Sequence, residues 1–83
     1  MTVINDVKQV LGETLQLGDR ANGFTAETPL FGAIAEFDSM AVVTVVTALE
    51  ERFGIFVEDD EIEAEVFATV GSLAAFVDQK LKA

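Results

Sequence analysis

Ser39 stands in the run Glu36-Phe37-Asp38-Ser39-Met40, at the head of a long apolar stretch. A hydroxyl becomes a nucleophile when a neighbouring base takes its proton. The chain offers no such base. It has no His and no Cys, and its only lysines are Lys8, Lys80 and Lys82, near the chain ends. A Gly-x-Ser-x-Gly elbow is also absent. Self-contained hydrolysis at Ser39 is therefore set aside, and the chain does not read as an enzyme. Two readings remain: a serine presented for modification by another enzyme, or simply the first-turn residue of a helix. Spacing alone favours the second, because Ser is common at helix starts.

The other candidates for chemistry are acids. Glu58-Asp59-Asp60-Glu61-Ile62-Glu63-Ala64-Glu65 holds six carboxylates in eight positions. Hard cations take carboxylate oxygens, but a calcium loop needs a central Gly that this run lacks. A solvated acidic face is the simpler reading, and no metal site is assigned. Glu50 and Glu51 are adjacent and point in different directions on a helix. Glu36 and Asp38 flank Ser39 without a pocket-forming context. No glycine-rich phosphate cradle is visible.

The chain has 83 residues, enough for one small domain over 1–83. Hydrophobic residues make up 51%, enough to form a core, so the composition argues against disorder. The seven Phe residues read as part of that core, in a bundle able to open for a chain-like guest. Fifteen acids against five bases leave a net charge of −10. Such a field repels phosphate backbones, which argues against nucleic acid, and steers basic partners inward. It also opposes compaction, so added salt is expected to stabilise the fold. No run approaches the roughly 18–20 apolar residues of a membrane span. The start, Met1-Thr2-Val3-Ile4-Asn5-Asp6, carries no signal-peptide pattern. These features lead to an expectation of a cytoplasmic monomer.

Four helices must position these residues. Thr2 can cap the first, over about 3–17. Ile4, Val7, Leu11 and Leu15 form its face, with Val3 and Val10 beside them and Gly18 as its stop. Residues 18–37 read as a long loop that packs across the core, with a short helical turn near 29–35. Asp38 can cap the second helix. Its Val-rich run has strand propensity, yet Met40, Val43, Val46 and Leu49 repeat near 3.6, with Val42 and Phe53 beside them, and Gly54 ends the segment. A short third helix falls in the acidic run, and Val66 and Phe67 return to the core. Thr69 can cap the last helix, whose buried face is Val70, Leu73, Val77 and Leu81, with Ala74 and Phe76 beside them. Lys80 and Lys82 suit its C-terminal end. The fold class is all-α: a four-helix bundle with a long loop after helix 1 and a short third helix.

The segment from Phe37-Asp38-Ser39-Met40 through Ala48-Leu49-Glu50-Glu51-Arg52-Phe53-Gly54-Ile55 resembles the second helix of acyl carrier proteins. The similarity continues through the acidic segment and Thr69-Val70-Gly71-Ser72-Leu73, and is weakest over 18–35. The resemblance implies covalent 4′-phosphopantetheine on Ser39, transferred from coenzyme A by a phosphopantetheinyl transferase (holo-acyl-carrier-protein synthase), with Asp38 as the motif residue before it. It also implies acyl-loading, ketosynthase or acyltransferase partners with basic docking patches, in fatty-acid, polyketide or other specialised lipid biosynthesis. Met40, Val43, Glu50 and Glu51 are the docking candidates. Two departures stand out. Ala35-Glu36-Phe37 precedes Asp38 where the family often has a Leu-Gly run. Ala41 and Thr44 stand where fatty-acid carriers usually expose acids, so partner recognition here is expected to be more apolar, in a dedicated pathway. The alternatives are an aminoacyl carrier, whose Gly-Gly-His/Asp-Ser-Leu run is missing, and a helical interaction module that is never modified.

Overall fold

A computed structural model describes residues 3–30 and 38–82, and for Ser39 the backbone alone. The Thr2 cap, the loop residues Phe31, Ile34 and Phe37, and most of the turn expected near 29–35 lie outside the described residues. Among the described residues three α-helices carry the fold: α1 (Val3–Thr14), α2 (Ser39–Phe53) and α3 (Val70–Lys82). The same residues hold two 3₁₀ helices, Gly18–Gly23 and Asp59–Glu61. Among the described residues there is no strand, only an isolated antiparallel bridge between Pro29 and Thr69. The all-α bundle expected from periodicity is what forms.

α1 packs against both α2 and α3. It buries Val7, Val10 and Leu11, with Val3, Ile4 and Leu15 half-buried against the same core. The helix ends at Thr14, earlier than the glycine signal at Gly18. Gln16 takes a left-handed φ of 56°, and the Leu17 N–H donates to the Gly12 carbonyl at 2.9 Å. This closes a Schellman motif without glycine at its left-handed position. Burial of Leu17, the residue after the turn, explains why the chain turns back before Gly18.

The segment after this turn is strapped to the start of α3. The Leu30 N–H donates to the Ala68 carbonyl, the Val70 N–H to Thr28, and the Gly71 N–H to Ala26, at 3.0, 2.9 and 2.9 Å. Gly71 permits this approach: a Cβ there would stand 2.7 Å from the Ala26 carbonyl oxygen. Leu30 is thereby fully buried, as a loop rich in apolar residues requires.

The expected short third helix is a single 3₁₀ turn, Asp59–Glu61, followed by turns over 64–67. Six crowded carboxylates repel one another, which opposes a longer helix there. The segment rejoins the core through buried Phe67 and half-buried Ile62 and Val66. Two ion pairs fasten the elements over long sequence separations. Arg52 Nη2 meets Asp6 Oδ1 at 3.2 Å and donates to Gln9 Oε1 at 2.8 Å, joining the end of α2 to α1. Lys80 joins α3 to Glu61.

α3 begins at a reciprocal cap. The Ser72 N–H donates to Thr69 Oγ1 and the Thr69 N–H to Ser72 Oγ, both at 3.0 Å. Val70, Leu73, Ala74 and Val77 are buried, as expected, and Phe76 is half-buried. Leu81 departs from the expected stripe. It is 44% exposed. Of the Phe residues described, Phe67 is buried and Phe24, Phe53 and Phe76 are half-buried, whereas Phe56 is 69% exposed.

Candidate functional site

α2 starts where the sequence places its cap. Asp38 is extended (φ −109°, ψ −171°), and its Oδ1 accepts from the Ala41 N–H at 2.9 Å. Its carbonyl accepts from the Val42 N–H at 3.0 Å, closing the first helical turn. Ser39 is consequently the first residue of α2. At that position the aligned peptide dipoles favour an anionic substituent. The Asp38 carboxylate is engaged with the helix backbone. The expected exposure of the Ser39 hydroxyl concerns a side chain outside the described residues.

The buried face of α2 is Ala41, Val42, Val45, Val46 and Leu49. This corrects the expected stripe in two places. Met40 and Val43 are 74% and 58% exposed, and so belong to the outer face. Val and Ala surround this helix, so periodicity alone left its rotation ambiguous. Packing against α1 selected the face with Val42, Val45 and Leu49. Ala41 is likewise buried, so it is not part of the outward surface on which an acid was expected.

The outer face presents Met40, Val43, Thr44, Thr47 and Glu51. Both threonine hydroxyls turn back on their own helix. Thr44 Oγ1 donates to the Met40 carbonyl at 3.1 Å and Thr47 Oγ1 to the Val43 carbonyl at 3.0 Å. Of the docking candidates, Met40, Val43 and Glu51 are exposed together on one surface. Glu50 is engaged differently, because its Oε2 accepts from the Val57 N–H at 2.9 Å. That bond ties the loop after Gly54 back to α2. Sequence reasoning missed it, since nothing local pairs a helix Glu with a backbone group seven residues on. Gly54 itself is left-handed (φ 66°), as its place after Phe53 predicted.

Residues 4–77 match the family described as "Phosphopantetheine attachment site". An acyl carrier protein of Exiguobacterium sp. is 34% identical over 79 residues, covering 95% of this chain and 94% of that protein. One from Sulfurovum sp. is 38% identical over 79 residues, covering 94% and 97%. A holo acyl carrier protein of Nitrosomonas europaea, known from its solution NMR structure, superposes with a TM-score of 0.92 at 52% identity, with both chains fully covered. The chain belongs to the acyl carrier protein family. The carrier's helices thus match its relatives in fold as well as in sequence, and its family is defined by attachment of phosphopantetheine. Among the described residues of the carrier, no helix is long and apolar enough to cross a membrane.

Proposed function

We propose that Ser39 is the attachment point of 4′-phosphopantetheine. A phosphopantetheinyl transferase supplies the group from coenzyme A. One observation carries this assignment: Ser39 is the residue that opens α2 directly behind the Asp38 cap, in a chain matched from end to end by a holo carrier. Attachment forms one oxygen–phosphorus bond at Ser39, breaks the phosphoanhydride of coenzyme A, and releases an adenosine bisphosphate. The serine proton goes to a base of the transferase, which is why the absence of His and Cys here is no obstacle. The bound arm supplies a thiol that holds acyl groups as thioesters.

The carrier then works without catalysis of its own, in the cytoplasm, as a monomer. It delivers acyl intermediates to loading, ketosynthase or acyltransferase enzymes of fatty-acid, polyketide or other specialised lipid biosynthesis. Its charge of −10 draws basic docking surfaces towards it. Met40, Val43 and Glu51 meet those partners, and Glu50 does so from a position partly committed to the fold. Incubation with coenzyme A and a promiscuous transferase tests the assignment by intact mass. The chain gains the mass of one phosphopantetheine and Ser39→Ala gains none. A wild type that stays unmodified, or a Ser39→Ala variant that is still modified, overturns it.

A further inference from the structure

Asn22 and Gly23 close the first 3₁₀ helix, Gly18–Gly23, and both are exposed. The side-chain amide carbon of an asparagine lies within a bond rotation of the next residue's main-chain nitrogen. Attack by that nitrogen closes a five-membered imide. A side chain on the following residue crowds the closure, and glycine has none. A Cβ added at Gly23 would meet nothing within 4 Å, so the surroundings do not hinder the approach either. Of the amide side chains Asn5, Gln9, Gln16, Asn22 and Gln79, only Asn22 precedes glycine.

The fold adds a cation. Lys8 Nζ reaches across from α1 and donates to the Asn22 main-chain carbonyl at 3.5 Å. That carbonyl belongs to the same peptide group as the Gly23 nitrogen. When the nitrogen loses its proton, the negative charge spreads onto this oxygen, where an ammonium stabilises it as it develops. Lys8 and Asn22 line an open groove of about 510 Å³ between α1 and the 3₁₀ helix, together with the small residues Gly12, Gly18 and Ala21.

We propose that Asn22 is a site of spontaneous deamidation, assisted by Lys8. A solvent base takes the Gly23 amide proton, and the nitrogen forms a bond to Asn22 Cγ. The Cγ–Nδ2 bond breaks, and the side-chain nitrogen takes up a proton from water and leaves as ammonia. Water then adds to one of the two imide carbonyls and opens the ring. One opening leaves an aspartate at position 22. The other leaves an isoaspartyl link, in which the main chain runs through the side chain. Both replace a neutral amide with a carboxylate. The isoaspartyl form also lengthens the main chain by a methylene directly before Phe24, which packs half-buried against the core. Attack needs rotation about the Asn22 Cα–C bond. A short 3₁₀ helix opens readily at its end, and the flexible lysine stem follows the carbonyl as it turns.

The whole chain is incubated in mildly alkaline buffer, without coenzyme A or transferase, as wild type, Gly23→Ala, Lys8→Met and Lys8→Arg. Intact mass, anion exchange and peptide mapping follow the reaction, and circular dichroism confirms each fold. Wild type is expected to gain acidic forms that map to Asn22 and include isoaspartate. Gly23→Ala slows this by about tenfold, the scale of crowding a methyl group against the closing ring. Lys8→Met slows it by about fivefold, the scale of a hydrogen bond, and Lys8→Arg restores most of the rate. In denaturant, where α1 no longer holds Lys8 at the carbonyl, wild type and Lys8→Met react alike. A folded wild type that stays unmodified, acidic forms that map elsewhere first, or an unchanged rate in Gly23→Ala overturns Asn22 as the site. A folded Lys8→Met that reacts as fast as wild type, or faster, overturns the role of Lys8. Losing a mere anchor of the turn would quicken its opening, whereas losing the cation slows the chemistry. None of these outcomes bears on Ser39.

Discussion

Lys80 Nζ closes on both carboxylate oxygens of Glu61, at 2.8 and 3.0 Å, across nineteen residues of sequence. Glu61 Oε1 also accepts from the Glu58 N–H at 3.0 Å. One carboxylate thus holds the 3₁₀ turn closed and fastens it to α3. It is the tertiary clasp on a segment that buries nothing of its own within Asp59–Glu61.

This clasp predicts an acid-sensitive component of stability. The hydrogen bond from Lys80, then that from the Glu58 N–H, lower the Glu61 carboxyl below its ordinary value of 4.5. A lowered carboxyl contributes stability that is present above the ordinary value and lost as pH falls through the folded one. Thermal melts of wild type and Glu61→Gln should therefore differ by a constant amount above about pH 5 and converge at lower pH. A gap that persists unchanged to pH 3 or so would count against the clasp.

Gln16 holds a left-handed backbone that glycine adopts without steric cost. Gln16→Gly should stabilise the carrier by about 0.5–1 kcal/mol, since relief of the strain exceeds the entropy glycine adds to the unfolded chain. Urea titration reads this as a higher midpoint at unchanged slope.

Gly71 predicts the opposite response to a better helix former. Ala would ordinarily favour a helix by about 1 kcal/mol over Gly. Here its Cβ would meet the Ala26 carbonyl at 2.7 Å, so Gly71→Ala should cost about 1–3 kcal/mol and loosen the strap of residues 26–30. Hydrogen exchange at the Leu30 and Gly71 amides should quicken in the variant.

Glu50 and Glu51 are neighbours with different roles. Glu50→Ala removes the acceptor of the half-buried Val57 N–H and should cost about 1–2 kcal/mol. Glu51→Ala, on the exposed face, should change stability by less than about 0.5 kcal/mol. Equal melting temperatures for the two variants would show that the Val57 bond contributes nothing.

What the sequence alone determined is the local half of this structure. Asp38 and Gly54 mark both ends of α2 because caps and left-handed glycines act on groups three to five residues away. The same holds for Thr69 at the start of α3 and for the helical periods of α1 and α3. The position of Ser39 followed from these signals together with the family resemblance. Tertiary structure decided the rest. The rotation of α2 turns Met40 and Val43 outward and Ala41 inward, against the expected stripe, because its first turns hold apolar residues on more than one side and packing chose among them. The burial of Leu17, distant in kind from any glycine signal, moved the end of α1 to Thr14. Glu50 with Val57, Lys80 with Glu61 and Arg52 with Asp6 are meetings across 7, 19 and 46 residues. No short-range propensity encodes such meetings, because each forms only once burial of the apolar faces has brought the helices together.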